Sequence, residues 1–167
     1  MRHLVRQSFP IVSGFVLALA ACADKTPKPD ASAAAPPAAP AGGIPIESTT
    51  FAPALAVDLS TSTKAPSGLY YKDLTVGTGA EVAAGQKLSM KYTVWLANGT
   101  QVDAGTYSYR LGAHEVIDGW DLGAVGMKVG GRRQLIIPPA LAYGPGGSGA
   151  VPPNAVLVFM VELLSAE

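Results

Sequence analysis

From residue 88 to residue 96 the chain alternates, with Leu88, Met90, Tyr92, Val94 and Leu96 on one side and Ser89, Lys91, Thr93 and Trp95 on the other. A period of two predicts a half-buried strand. Asn98-Gly99 follows, the strongest short-range hairpin signal, and residues 100–103 read as a brief return strand. Tyr107, Tyr109 and Leu111 alternate with polar partners and predict a further strand. At Val116 the period changes. Val116, Ile117, Trp120, Ala124 and Met127 fall at helical spacing, with Asp118 favourable in the first turn and Gly126 placed to stop the helix. Residues 133–137 form a strand ended by Pro138-Pro139. Residues 155–164 are almost continuously apolar, broken only by Glu162, as for a strand near the middle of a sheet covered on both faces. Tyr109 and Trp95 are read as core aromatics. Strands gathered around one short helix make an α+β fold, a curled antiparallel β-sheet wrapped around the helix, with Tyr92 on the apolar face that meets it.

The pattern divides the chain into four parts. Residues 1–21 carry Arg2 and Arg6 ahead of an apolar run ending in small residues, which is the form of a secretory signal peptide. The run closes on Leu19-Ala20-Ala21-Cys22, which resembles a bacterial lipobox, so Cys22 is the expected lipidation site and the new N-terminus. Ala23 is not the aspartate of an inner-membrane retention signal. The expected location is therefore the periplasm, lipid-anchored to the outer membrane. Residues 22–50 form an Ala/Pro-dominated tether with little to bury. Residues 51–66 are a short apolar extension in which 51–59 (FAPALAVDL) predict a short strand at the domain edge. The globular part occupies residues 67–167.

Composition removes several functions. Cys22 is the one cysteine, so an internal disulfide cannot form. Loss of Arg2 and Arg6 with the signal leaves ten basic against twelve acidic residues, a net charge of −2, with no Lys/Arg cluster to attract nucleic acid. His114 is then the single histidine, which rules out a His-based metal site and reads as a surface residue.

VIDGW at 116–120, LAYG at 141–144, VPPNA at 151–155 and LVFMVELL at 157–164 occur in that order. In these motifs the chain resembles the FKBP-type peptidyl-prolyl cis-trans isomerases over residues 67–167. The resemblance implies a rotamase cleft that uses no cofactor. In it, Trp120 forms the floor and Tyr92, Val102, Val116, Ile117 and Phe159 the walls. The backbone N–H of Ile117 and the phenol of Tyr143 bind substrate carbonyls. Asp103 is the pocket carboxylate, hydrogen-bonded to Tyr92. Residues 144–149 form a flap with Ala150 and Val151 at its tip, and Tyr107 adds a further substrate contact. The implied catalytic residues are Tyr92, Asp103 and Tyr143. The implied partners are proline-containing unfolded or partly folded polypeptides and macrolides such as rapamycin. Three positions depart from the family pattern. Val102 stands where a Phe is usual, Ala150 is reduced in size, and the segment 103–111 is several residues short. A non-catalytic FKBP-like peptide-binding module is the alternative function.

Overall fold

A computed structural model describes residues 44–167. Six strands form one antiparallel sheet: β1 (Thr63–Lys64), β2 (Tyr70–Thr75), β3 (Lys87–Leu96), β4 (Gln101–Arg110), β5 (Arg132–Ile137) and β6 (Leu157–Ala166). Their order across the sheet is β1-β2-β5-β6-β3-β4. The one α-helix among the described residues, α1 (Asp118–Ala124), lies on one face. The fold class is the expected one, and β6 takes the middle position that its apolar run implies.

The helix lies close against the sheet because two of its residues have no side chain. A Cβ on Gly119 would meet Ile137 at 2.5 Å, and one on Gly123 would meet Leu135 at 2.7 Å. That approach buries Leu88, Met90, Tyr109, Trp120, Ala124, Leu135, Ile137, Phe159, Val161 and Leu163 in one core. On the outer face Ile46, Tyr70, Ile136 and Val156 form a second, smaller core. β5 is therefore buried on both sides, Leu135 and Ile137 toward the helix and Ile136 away from it.

The N-terminal extension covers this outer face, and not as a strand. Residues 51–59 contain a 3-10 turn, Pro53–Leu55, closed by Ala56 in the left-handed region at φ 47°. Pro53 has no N–H to give to a ladder, so the turn replaces the expected edge strand. Phe51, Val57 and Leu59 instead pack on the second core. The buried amide of Gln134 donates to the Leu55 carbonyl at 2.8 Å. Glu47 accepts from Lys64 and Tyr70, each at 2.6 Å, and these bonds hold its carboxyl down at about 2. Residues 46–59 thus belong to the same folded body as the sheet.

Other boundaries also move. The expected strands at 100–103 and 107–111 are one continuous strand, β4, paired along β3 from Val94↔Asp103 to Lys87↔Arg110. From Asp103 to Arg110 every step of the ladder finds a partner, and the single irregularity falls at Val102. The helix begins at Asp118, with Val116 in a bend and Ile117 leading in as extended chain. Trp95 is only half-buried, since β3 turns it to the outer face. Glu162 sits between Lys91 and Arg132 in register, 3.9 Å from the Arg132 guanidinium, where the outer face opens to water.

Arg133 is the main feature that sequence inspection passed over. It is 5% exposed, yet fully engaged. Its Nε and a terminal nitrogen grip the two oxygens of Asp73 at 2.6 and 3.0 Å. The other terminal nitrogen donates to the carbonyls of Gly123 and Val125 at 2.8 and 2.9 Å. A helix end leaves carbonyls without intrahelical partners, and here a guanidinium from the neighbouring strand satisfies two of them. Tyr71 stacks on it, ring centroid 4.6 Å away.

Candidate functional site

One cavity of about 620 Å³ opens where β3, β4, β6, α1 and the loop after β5 converge. Tyr92, Val102, Asp103, Tyr107, Val116, Ile117, Trp120, Tyr143, Ala150, Val151 and Phe159 all line it. Every cleft residue expected from the sequence therefore meets in one place. Three more lining residues were not expected: Val94, Glu115 and Ser148. Each carried a signal. Val94 is on the apolar side of the 88–96 alternation, Glu115 immediately precedes VIDGW, and Ser148 lies within the flap.

Trp120 makes the floor because α1 presents it inward from its first turn. It is 6% exposed and held by aromatic edges: Tyr92 at 5.1 Å and 71°, Phe159 at 5.6 Å and 80°, Tyr109 tilted at 5.9 Å. Rings prefer such edge-to-face contacts, so the three neighbours fix the orientation of the indole. Ile117, just ahead of the helix, is extended at φ −62°, ψ 144°. Its N–H bonds to nothing among the described residues, so it is available at the cavity wall.

The polar elements come from two adjacent strands. Tyr92 on β3 donates its phenol to Asp103 Oδ2 on β4 at 2.6 Å. The other oxygen of Asp103 accepts the Ala104 N–H at 2.8 Å. The carboxylate is thus fixed from both sides. A register shift between Val94 and Trp95 lets consecutive residues, Val102 and Asp103, both reach the cavity. The bond to Asp103, then burial, push the Tyr92 phenol up to about 12. Tyr92 therefore keeps its proton, and the bond persists, throughout the neutral range. Tyr143 stands at the rim, 41% exposed.

The flap closes on itself. Ser148 and Val151 exchange backbone hydrogen bonds at 2.9 and 2.8 Å, and Asn154 N–H reaches the Gly144 carbonyl at 2.9 Å. The turn leaves room only for glycine at Gly147, where φ is +64° and a Cβ would lie 2.4 Å from the Val151 carbonyl. Ala150 and Val151 are thereby held at the mouth.

The site offers an aromatic floor, aliphatic walls, a fixed carboxylate and two donors. The Asp103 carboxylate is already engaged by Tyr92 and the Ala104 N–H. That arrangement suits binding and conformational change of an amide.

Comparison with known proteins agrees with this geometry. Residues 79–164 match a family model described as FKBP-type peptidyl-prolyl cis-trans isomerase. An FK506-binding protein of Neisseria meningitidis serogroup B is 46% identical over 103 residues, which cover 58% of this chain and 94% of that one. FK506-binding protein 4 of Dictyostelium discoideum is 49% identical over 104 residues, 60% of this chain but only 29% of the relative. Among solved structures, FkpA from Escherichia coli superposes with a TM-score of 0.60 at 35% identity, over 64% of this chain and 52% of that one. AtFKBP13 gives 0.59 at 38% identity, over 64% and 98%.

Proposed function

Because the chain belongs to the FKBP-type peptidyl-prolyl cis-trans isomerase family, we propose that it rotates X-Pro bonds of exported polypeptides, as a folding catalyst in the periplasm. The observation that carries this reading is the Tyr92–Asp103 pair fixed above an aromatic floor.

Amide resonance sets a barrier of about 18–20 kcal/mol, and uncatalysed prolyl isomerisation takes tens to hundreds of seconds. Each ~1.4 kcal/mol removed is tenfold in rate. A planar amide is strongly dipolar and a twisted one less so. A cavity floored by Trp120 and walled by Val102, Val116, Ile117 and Phe159 therefore disfavours the ground state relative to the transition state. Twisting also leaves the carbonyl carbon more positive, which a fixed carboxylate at Asp103 favours. The Ile117 N–H and the Tyr143 phenol hold the flanking carbonyls. No step needs a metal or a covalent intermediate.

The test is a proline-isomerisation assay on residues 44–167, with and without rapamycin. Catalysis blocked by the drug supports the enzyme. Drug binding without catalysis selects a non-catalytic peptide-binding module, a reading favoured by one observation: the side chain that β4 gives to the wall beside Asp103 is the small Val102. Asp103→Ala and Tyr143→Phe sharpen the test. Both side chains are exposed at the cavity, so neither fills the core. Each variant is expected to lose about tenfold in kcat/KM, the worth of one placed hydrogen bond of ~1.4 kcal/mol, with a nearly unchanged melting temperature. Full activity in both variants of a working enzyme would overturn the assigned roles.

The location rests on the sequence, since Cys22 and the tether up to residue 43 lie outside the described residues, while Ile46 and Glu47, expected in the tether, pack and bond with the domain. The charged start, apolar run and Leu19-Ala20-Ala21-Cys22 support a lipid anchor on the outer membrane. Two or more acyl chains give stable anchoring, and the Ala/Pro tether would hold the domain off the surface. Metabolic labelling with a fatty acid is expected to tag the wild type and leave Cys22→Ala unlabelled. Equal labelling of the two would sink the proposal.

A further inference from the structure

β4 is the last strand of the sheet, and its outer edge is open among the described residues. Two of its N–H groups show which way that edge faces. Ala104 N–H is taken by the Asp103 carboxylate at 2.8 Å and Arg110 N–H by Glu115 at 3.2 Å, not by β3. Strand geometry repeats every two residues, so Thr106 and Ser108 turn their backbone groups the same way. Lys87, opposite Arg110, exchanges both its backbone bonds with Glu167 instead, so these even-numbered positions face away from β3, and no bond outside the ladder takes up their N–H and C=O groups among the described residues. The edge is thus closed by a carboxylate at either end and unpaired between them.

Natural sheets blunt such edges with Pro, Lys or a bulge. Residues 104–109 of β4 (AGTYSY) contain no Pro and no charged side chain, and the ladder to β3 is regular over this stretch. The edge is also continuous with the cleft. Asp103, Tyr107 and Glu115 each line the cavity, and they lie before, within and beyond the unpaired stretch. A polypeptide with its proline in the cavity must leave it over a rim of which this edge is part. The residue before a proline is sterically driven to extended conformations, the conformation that a sheet edge accepts.

We propose that the free edge of β4 is a docking strand, and that the segment flanking an X-Pro bond seated in the cleft pairs with Thr106 and Ser108 as an added strand. This rests on the reading of the cavity as an X-Pro site. It makes the preferred substrate an extended, unfolded chain, because a short peptide reaches the cavity alone. Main-chain pairing reads no side chains, so the docking is tolerant of sequence.

The experiment compares labelled Ala-Leu-Pro-Phe with two peptides that carry Thr-Val-Thr-Val ahead of it or behind it, titrated against the full chain by fluorescence anisotropy. At least one lengthened peptide is expected to bind about tenfold tighter, the yield of one or two net hydrogen bonds. N-methylation of its added residues, in one of the two alternating registers, is expected to abolish the gain. Thr106→Pro should do the same, since an edge strand tolerates Pro where the N–H faces outward; its melting curve checks that it folds, and the N-methyl peptides need no variant at all. A gain absent from both lengthened peptides, or one that survives N-methylation in both registers, overturns the proposal. Failure of the short peptide to bind would count against the cavity reading alone, because long-peptide binding lost on N-methylation still reports on the edge. Sedimentation of the protein by itself completes the test. A dimer that Thr106→Pro dissociates would assign the edge to a second copy and overturn the proposal.

Discussion

Trp120→Ala is expected to lower stability and turnover together. The indole is 6% exposed and touches Tyr92, Tyr109 and Phe159. Truncating a buried Trp costs about 3–5 kcal/mol. Here the lower part of that range applies, because one side of the ring faces an open cleft that water can fill. The catalytic loss has a separate estimate. A pyrrolidine ring places three methylenes on the floor, at about 0.8 kcal/mol each, or ~2.4 kcal/mol and roughly sixtyfold in kcat/KM. Urea unfolding with an unchanged slope, alongside the isomerase assay, separates the two. Trp120→Phe keeps an apolar floor and should recover most of the activity. If Trp120→Ala turned over like the wild type, the floor would be misplaced.

Arg133→Ala is expected to be the most damaging change outside the cleft. Its guanidinium is buried and makes four hydrogen bonds, two to Asp73 and two to the carbonyls that end α1. Removing one partner of a buried pair typically costs 3–5 kcal/mol. Asp73 is 38% exposed and regains water, so about 2–4 kcal/mol is the better figure, most of it from the stranded Gly123 and Val125 carbonyls. Arg133→Lys should not rescue it, since a single ammonium cannot span a carboxylate and two carbonyls. Asp73→Ala should cost less than Arg133→Ala. A loss below ~1 kcal/mol in Arg133→Ala, measured by chemical denaturation, would show that the helix end needs no cap.

The two sites differ in how legible they were. The cleft is built from segments that each define their own shape. The 88–96 alternation turns Tyr92 inward, the helical period after Val116 brings Trp120 to the floor, and Gly147 permits the tight flap. Motif resemblance then named Asp103 and Tyr143; Asp103 read alone would have been left as a solvated turn residue. Arg133 carried no such signal. Its partners are ten and sixty residues away in sequence, and the second of two adjacent arginines at the start of a strand looks the same whether it points to water or into a helix end.

The same distinction explains the corrections. Residues 100–111 showed two short alternating stretches, and only pairing along β3 made them one strand. Residues 51–59 had strand-like apolarity, yet Pro53 and the uncovered outer face of β5 drew them into a turn packed on Ile136 and Tyr70. The amino-acid sequence by itself determined most element types and the helix-on-sheet class, because alternation, helical period and turn chemistry act between neighbours a few positions apart; the cleft residues were named by the family that its motifs resemble. Strand order, the open edge of β4, the capping of α1 by Arg133 and the covering of the outer face were decided only by the tertiary structure. Each of these depends on which distant surfaces must be buried together, and that is a property of the assembled sheet.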